Sequence, residues 1–349
     1  MSLISVILYW LEGESIVMWL KRNILKEEKG KVSNQELEAL KELEKRHPLE
    51  PDKPILKLDE QTALVYTRWG GYVAVPTSNI DVATGVIRDR IIEPWTTQLV
   101  YQTLNVGDVY VNLGANFGYY AVLGAHKVGR TGKVFAVEAN PYMFLYLMKS
   151  IYWSGYPDVI RSFNFAVFSQ SNTDISFFFD PQFAGGGSVR QPAHEIETLS
   201  LEACFWNTSN LDGLLDENRE WIKGKSLYTS IKAKAKKLDE MIDLFGKVDL
   251  LSMDIEGAEA EAILGGKNFI NSNPQMNIIM EWDPQGNNRT SESYNRAKEM
   301  WSFLIDEMKY RVFRVKPETY KSIGSYPDLD ALNNLTVWNT PHSDLFLTH

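Results

Sequence analysis

Residues 108–124 read DVYVNLGANFGYYAVLG: an apolar strand pattern, a turn built on Gly114 and Gly118, and then an apolar helical pattern. A strand, a glycine turn and a helix in that order make a cradle for a ligand. Glycine at 114 permits a sharp backbone turn. Glycine at 118 is expected to let a ligand approach the helix start, where free N–H groups and the helix dipole point outward. About twenty residues on, the strand pattern at 134–137 ends in Glu138, whose carboxylate can accept both hydroxyl hydrogens of a ribose. Together these elements read as a nucleoside site. Asn116 stands where a dinucleotide fingerprint has its second glycine, so the close approach that a pyrophosphate needs is withheld, and no GK[ST] loop occurs.

Working outward, short apolar strands at 109–113, 134–137, 248–253 and 278–280 alternate with helical patterns, the grammar of a parallel α/β sheet. Residues 290–310 carry Ala297, Met300, Trp301, Leu304, Ile305 and Met308 at helical spacing. Strands are expected at 311–315, 335–338 and 344–347, closing the sheet with an antiparallel hairpin. Residues 183–237 read as a long insertion with a lysine-rich run (Lys223, Lys225, Lys232, Lys234, Lys236, Lys237), taken as a solvated helix face rather than a phosphate patch. Upstream, Ser33 and Glu36 open a helix over 33–47 with capping-box spacing, and 63–75 reads as a hairpin across Gly70 and Gly71. This gives an N-terminal helical and hairpin appendage over 1–90 and a ligand-binding domain over 91–349.

The chain has 349 residues, 44% hydrophobic and 23% charged, which excludes a mostly disordered or fibrous protein. A net charge of −9 argues against phosphate backbones, so no nucleic-acid partner is expected. The single cysteine, Cys204, permits no internal disulfide, and the five histidines show no metal-ligand spacing. Apolar runs at 4–11 and 16–20 are interrupted by Glu12 and Glu14, too short to span a bilayer and without the basic start of a secretory signal. The expected location is cytoplasmic. Peripheral membrane contact through residues 1–22, docking of that segment on protein, and homo-oligomerisation stay open.

A third stretch, VDLLSMDIEGAEAEAILGG over 248–266, is a strand ending in Asp254 that passes through Glu256 and Gly257 into a short helix. Ligands of open α/β sheets bind at the carboxyl ends of the strands, so Asp254, Glu256, Glu259 and Glu281 are expected near the glycine turn. Carboxylates at helix starts also serve as plain dipole partners, and Glu259 fits that description best. Glu93 and Trp95, just before the first sheet strand, are candidates to bind a hydroxyl and to stack on a sugar or adenine face. Of Tyr119 and Tyr120, one is expected to face the ligand while the other packs.

VNLGANFGYY, VFAVEANP, KKLDEM and VDLLSMDIEGAEAEAILGG occur in an order that resembles FkbM-type S-adenosylmethionine-dependent methyltransferases, from residue 91 onward. The resemblance implies a class I, Rossmann-like seven-stranded sheet that is mostly parallel. It implies a cofactor set of Asn112, Gly114, Asn116, Gly118, Tyr119, Glu138, Asn140 and Asp254, with Asp254 or Glu256 as the catalytic carboxylate. The acceptor side would hold Glu93, Trp95 and Glu281. Two positions depart from the pattern: Asn112 stands where an acidic residue is usual, and Ser252 where lysine is common. The expected activity is O-methylation of a sugar, glycan or small-molecule hydroxyl. The alternatives are an N- or protein-directed methyltransferase and a non-catalytic cofactor-binding protein. A divalent ion on Asp254 and Glu281 is the less favoured addition, and no metal site is assigned.

Overall fold

The computed structural model describes residues 55–79, 81–180, 183–188, 229–287, 290–316 and 327–349. The helix expected over 33–47, the segment 1–22, Cys204, Lys223 and Lys225 lie outside them. The strands in chain order are β1 (Leu56–Asp59), β2 (Thr62–Tyr66), β3 (Tyr72–Pro76), β4 (Val109–Leu113), β5 (Lys133–Val137), β6 (Ile160–Phe163), β7 (Ala166–Val167), β8 (Asp174–Asp180), β9 (Phe183–Ser188), β10 (Thr229–Lys236), β11 (Leu250–Met253), β12 (Asn277–Trp282), β13 (Arg311–Val315), β14 (Leu329–Leu332) and β15 (Ser343–Thr348). The helices used below are α1 (Val82–Asp89), α2 (Pro94–Thr103), α3 (Tyr119–Val128), α4 (Pro141–Ser154), α5 (Glu259–Leu264) and α6 (Ser291–Trp301).

The main sheet has the order β14-β13-β15-β12-β11-β4-β5-β6. The five strands from β12 to β6 pair in parallel, and β15 inserts antiparallel between β12 and β13. This is the class I methyltransferase arrangement, with an eighth strand, β14, paired at the outer edge of β13. Alternation along each strand divides the side chains between two apolar layers. Tyr110, Val134, Ala136, Leu250, Ile279 and Phe346 pack on one face; Val111, Leu113, Phe135, Val137, Leu251, Met253, Met280 and Leu345 pack on the other. A sheet covered on both faces leaves only its strand ends for ligands.

The last strands differ in one place from expectation. Residues 335–338 fall in and around a 3-10 turn, Thr336–Asn339, and the additional strand is β14 instead. The Asn333 side-chain oxygen accepts the N–H groups of Leu335 and Thr336 at 2.9 and 3.0 Å, an Asx-type turn that removes those donors from any ladder. Trp338 then packs edge-on against the buried Trp282, whose indole N–H donates to the Val337 carbonyl at 2.9 Å. The helical pattern from 290 is α6, capped by Thr290, and it continues as a π-helical turn over Ser302–Glu307. The wider turn rotates Phe303 into the core beside Leu304, while Ile305 is left half-buried.

Lys232, Lys234 and Lys236 lie on β10 and not on a helix. They are exposed and alternate with the buried Ala233 and Ala235, the period of two that a half-covered strand requires. β10 belongs to a second sheet of order β7-β10-β8-β9, which takes up the described ends of the expected insertion.

The chain divides between Lys53 and Pro54 rather than at residue 90. The hairpin β2–β3 forms as expected, with β1 added at its edge. It joins the main unit because Val65, Trp69, Val73 and Val75 enter the same apolar layer as α3 and α4. Ser150 of α4 makes the junction polar as well as apolar: its Oγ accepts the Ala74 N–H at 2.8 Å and donates to the Phe117 carbonyl at 2.6 Å. Ser150→Ala leaves the buried Ala74 amide without an acceptor, so it should cost about 1–3 kcal/mol of unfolding free energy. Chemical denaturation measures this, and an unchanged midpoint and slope would remove the hairpin from the cooperative unit.

Candidate active site

Three strand tips and their turns build the floor of the site. The Gly114 and Ala115 amides both donate to the Val137 carbonyl at 2.9 Å, which fixes the glycine turn to the end of β5. Gly114 has φ +76°, and a Cβ there would lie 1.7 Å from the Asp254 carbonyl oxygen. Only glycine lets the β4 turn settle onto the tip of β11. Gly118, also in the left-handed region, answers to packing: a Cβ would meet Leu147 at 2.9 Å and Ser150 at 3.1 Å. The open space at Gly118 is taken by α4 and not by the cavity, contrary to the expected ligand approach.

Two adjoining cavities of about 180 and 210 Å³ open at this rim, each far larger than a water site. The first is lined by Asn112, Gly114, Asn116, Tyr119, Glu138, Asn140, Asp254, Glu256, Glu93 and Glu281, together with Asp344 and apolar residues such as Met143, Phe165 and Ile175. The second is lined by Glu93, Trp95, Glu281, Val315, His342, Ser343 and Asp344. The sequence-derived candidates are therefore brought together, apart from Gly118. Glu259 lies outside both linings: its Oε1 accepts the Ile255 and Gly257 N–H groups at 3.1 and 3.2 Å, so it staples its own loop ahead of α5.

Glu138 accepts the Asn116 N–H on one oxygen and the Asn140 N–H on the other, each at 2.7 Å. The Ala139 N–H is a further donor to it, so of a carboxylate's roughly four acceptor sites about one stays available to a ligand hydroxyl. Burial pushes this carboxyl up to about 7 against the pull of those amides. Asn140 also caps α4 by accepting the Tyr142 N–H at 3.0 Å. Tyr119 is buried edge-on against Trp69, and its hydroxyl accepts from Thr97 at 3.1 Å. Tyr120 reaches the acidic wall instead, donating to Glu93 at 2.6 Å.

Asn112 and Ser252 are register partners on β4 and β11. Asn112 Nδ2 donates to Ser252 Oγ at 3.1 Å, and Ser252 Oγ lies 2.5 Å from the Tyr110 hydroxyl. An acidic residue and a lysine at these positions would face each other, so the two departures from the family pattern remove one charge of each sign together. Neither strands a buried charge. The Asn112 side-chain oxygen has no partner and is buried at the cavity wall, an acceptor left for a ligand donor.

The second cluster is Glu93, Asp254, Glu256, Glu281 and Asp344. Glu281 and Asp344 are directly opposite each other on the antiparallel pair β12–β15, an arrangement that like charges ordinarily destabilise. His342 Nε2 lies 2.7 Å from Glu281 Oε1, while Thr96 Oγ1 donates to Asp344. Desolvation, followed by the neighbouring carboxylates, raises Glu93 to about 7 and Asp254 and Glu256 well above the usual carboxylate range. Asp254 keeps accessible surface because it faces the cavity, so desolvation here is by surrounding protein and not by sealing. Asp344 is raised to about 6 by desolvation, partly offset by its bond from Thr96. Among the described residues, no group of three or more His, Cys, Asp or Glu is arranged to hold a metal ion.

Three of the six described non-glycine residues with positive φ line these cavities: Glu93 (37°), Asn116 (50°) and Glu256 (58°). Each such conformation costs on the order of 1–3 kcal/mol and persists where surrounding structure over-determines it. Sequence reasoning named Tyr120 beside Tyr119 but missed Asp344 and its bond from Thr96. The antiparallel β15 begins at the same rim where the parallel β12 ends, a pairing that no local pattern reports.

The methyltransferase FkbM domain family matches residues 112–315. No curated protein matches. Solved structures similar to the chain include fibrillarin from Aeropyrum pernix with natively bound S-adenosyl-L-methionine (10% identity, 85% of this chain and 98% of that one, TM-score 0.37). They also include an O-methyltransferase from Bacillus cereus in complex with SAH (9%, 78% and 83%, TM-score 0.34). At such distances the fold assignment rests on the strand order described above.

Carboxyl groups whose folded pKa exceeds the unfolded value bind protons preferentially in the folded state, so stability is lost as pH rises from about 5 through about 7. Glu93, Glu138 and Asp344 all act in this direction. His342, raised by Glu281, loses its stabilising charge as pH rises and adds to the same trend. The melting temperature of the ligand-free protein should fall across this window, and Glu93→Gln should flatten the fall. A melting temperature that climbs toward neutrality would contradict the assignment of these groups.

Proposed function

This chain belongs to the methyltransferase FkbM domain family and is an S-adenosylmethionine-dependent methyltransferase; on that premise we propose that its acceptor is a hydroxyl oxygen of a sugar, glycan or other small molecule. The observation that carries this reading is the pair Asp254 and Glu256 at the tip of β11, facing a cavity whose lining, among the described residues, includes no Lys, Arg or His.

The cavity fits the cofactor on three counts. The Gly114 turn, set onto the tip of β11, lines the cavity, Asn112 offers a buried acceptor without a partner, and Glu138 keeps acceptor capacity for a ribose hydroxyl. Asn116, Tyr119, Asn140 and Asp254 would complete the binding set. The cofactor would supply an activated methyl on a positively charged sulfur, to be transferred to the acceptor oxygen with the C–S bonding pair left on sulfur.

The protein's own task is alignment, exclusion of water and removal of one proton. An alcohol is about as weak an acid as bulk water, with a pKa of roughly 16, so a carboxylate must accept the proton as the methyl moves. Asp254 and Glu256 suit this role because their raised proton affinity makes them better bases than an ordinary carboxylate. An amine acceptor would need less of this help. Glu93, held by Tyr120, and Trp95 would contact the acceptor from the opposite wall.

Asp254→Asn and, separately, Glu256→Gln should lower turnover, one of them by at least about a hundredfold, with a smaller effect on cofactor affinity. Rapid-quench measurement of methyl transfer decides this, and near-normal turnover in both variants would refute the base assignment. Glu138→Gln, which keeps one acceptor oxygen, should weaken S-adenosylhomocysteine binding by about 1.5–3 kcal/mol in calorimetry.

A further inference from the structure

Tyr110, Asn112 and Ser252 form a polar chain under the first cavity. Alternation along β4 sets Tyr110 and Asn112 on one face of the sheet, and register sets Ser252 of β11 beside Asn112. Tyr110 is wholly buried, and its ring fills the space at Gly124 of α3, where a Cβ would lie 2.2 Å from it. Among the described residues its hydroxyl has one hydrogen-bond partner, Ser252 Oγ at 2.5 Å. A buried phenol hydrogen left without an acceptor is strongly unfavourable, so Tyr110 donates and Ser252 accepts.

Ser252 Oγ also accepts from Asn112 Nδ2 at 3.1 Å, so both of its lone pairs are taken. The chain is left with one donor and one acceptor. The donor is the Ser252 hydroxyl hydrogen, which neither Tyr110 nor Asn112 Nδ2 receives. The acceptor is Asn112 Oδ1, buried without a partner. Asn112 is 3% exposed and Ser252 7%, and both line the first cavity, so the two groups end side by side at its wall. An acid and a lysine in these places would satisfy each other as an ion pair. The neutral pair instead keeps an acceptor and a donor for a ligand.

An acceptor and a donor next to each other, neither charged, complement a group that carries an ammonium and a carboxylate together. Strand order separates this end from the ribose end: β4 lies between β11, which holds Ser252, and β5, which ends at Glu138. Resting on the cofactor reading above, we propose that Ser252 is a binding residue for the amino-acid end of S-adenosylmethionine, donating its hydroxyl hydrogen to the carboxylate while Asn112 Oδ1 accepts from the ammonium. Tyr110 is a positioning residue. By filling one lone pair of Ser252 Oγ, it turns the serine hydrogen toward the ligand, although it is not itself part of the cavity lining.

The test is calorimetric titration of the full chain with three probes. They are S-adenosylhomocysteine, its analogue with hydrogen in place of the amino group, and 5′-methylthioadenosine, which keeps the adenosine and the sulfur but lacks the amino-acid end. Ser252→Ala should weaken S-adenosylhomocysteine binding at least about tenfold, and 5′-methylthioadenosine binding by less than about threefold. Asn112→Ala should cause a similar loss for S-adenosylhomocysteine and spare the analogue without the amino group. Tyr110→Phe should weaken S-adenosylhomocysteine at least about threefold and spare 5′-methylthioadenosine. The double variant Tyr110→Phe with Ser252→Ala leaves no stranded hydroxyl, so it should show the serine loss even where Ser252→Ala alone folds poorly. A loss shared equally by S-adenosylhomocysteine and 5′-methylthioadenosine would reduce the chain to a structural role and overturn the proposal. So would S-adenosylhomocysteine affinity that is unchanged in both the serine and the double variant. Failure of the unsubstituted protein to bind S-adenosylhomocysteine at all would sink the cofactor reading and this one with it, whereas the preceding results sink this one alone.

Discussion

The contact between Gly114 and the Asp254 carbonyl is the constraint on which the site depends. Adjacent parallel strands must bring their tips together closely enough that a Cβ would fall inside the partner's carbonyl oxygen. That closeness sets β4 and β11 side by side at the rim, with the Gly114 and Ala115 amides fastened to the end of β5. The Asp254 carboxyl then enters the same cavity that Glu138 borders from the third strand tip. A side chain at 114 would lift the turn and part those groups.

The rim is costly to build. It gathers carboxylates whose folded proton affinities are raised, sets two of them directly opposite each other on β12 and β15, and holds three non-glycine residues at positive φ. The core supplies the compensation. Both faces of the sheet are covered by apolar layers, and Trp282, Trp301 and Trp338 pack edge-on beneath the antiparallel end. Ser150 links the hairpin, α4 and the loop ahead of α3 through hydrogen bonds buried in one of those layers. Local strain of this kind is retained where the rest of the fold over-determines it.

The sequence by itself determined the alternation of strands and helices, because the central strands are continuous apolar runs bounded by glycine and charged residues, which is a local signal. It also placed one wall of the candidate site: Gly114, Asn116 and Glu138 lie within about 25 residues of one another, on a single strand–turn–helix–strand unit. Two locally ambiguous segments went otherwise. Residues 335–338 have strand-forming side chains, but Asn333 captures their amides, and the lysine run has the alternation of a strand with one covered face.

The tertiary structure alone decided the acidic wall opposite the glycine turn. Asp344 stands far along the chain from Glu93 and Glu281, and it meets them because β15 runs antiparallel beside β12 and begins where β12 ends. Gly118 likewise looked like part of the cradle, although its lack of a side chain is used by Leu147 and Ser150 of α4. The pairing of Asn112 with Ser252 also needed the sheet, since two substitutions that look like separate losses become one neutral pair once β4 and β11 are in register. The physical reason is common to all three. Sequence periodicity reports which face of its own element a residue occupies, whereas the partner across the gap is set by strand order and register, which arise only when distant segments pack.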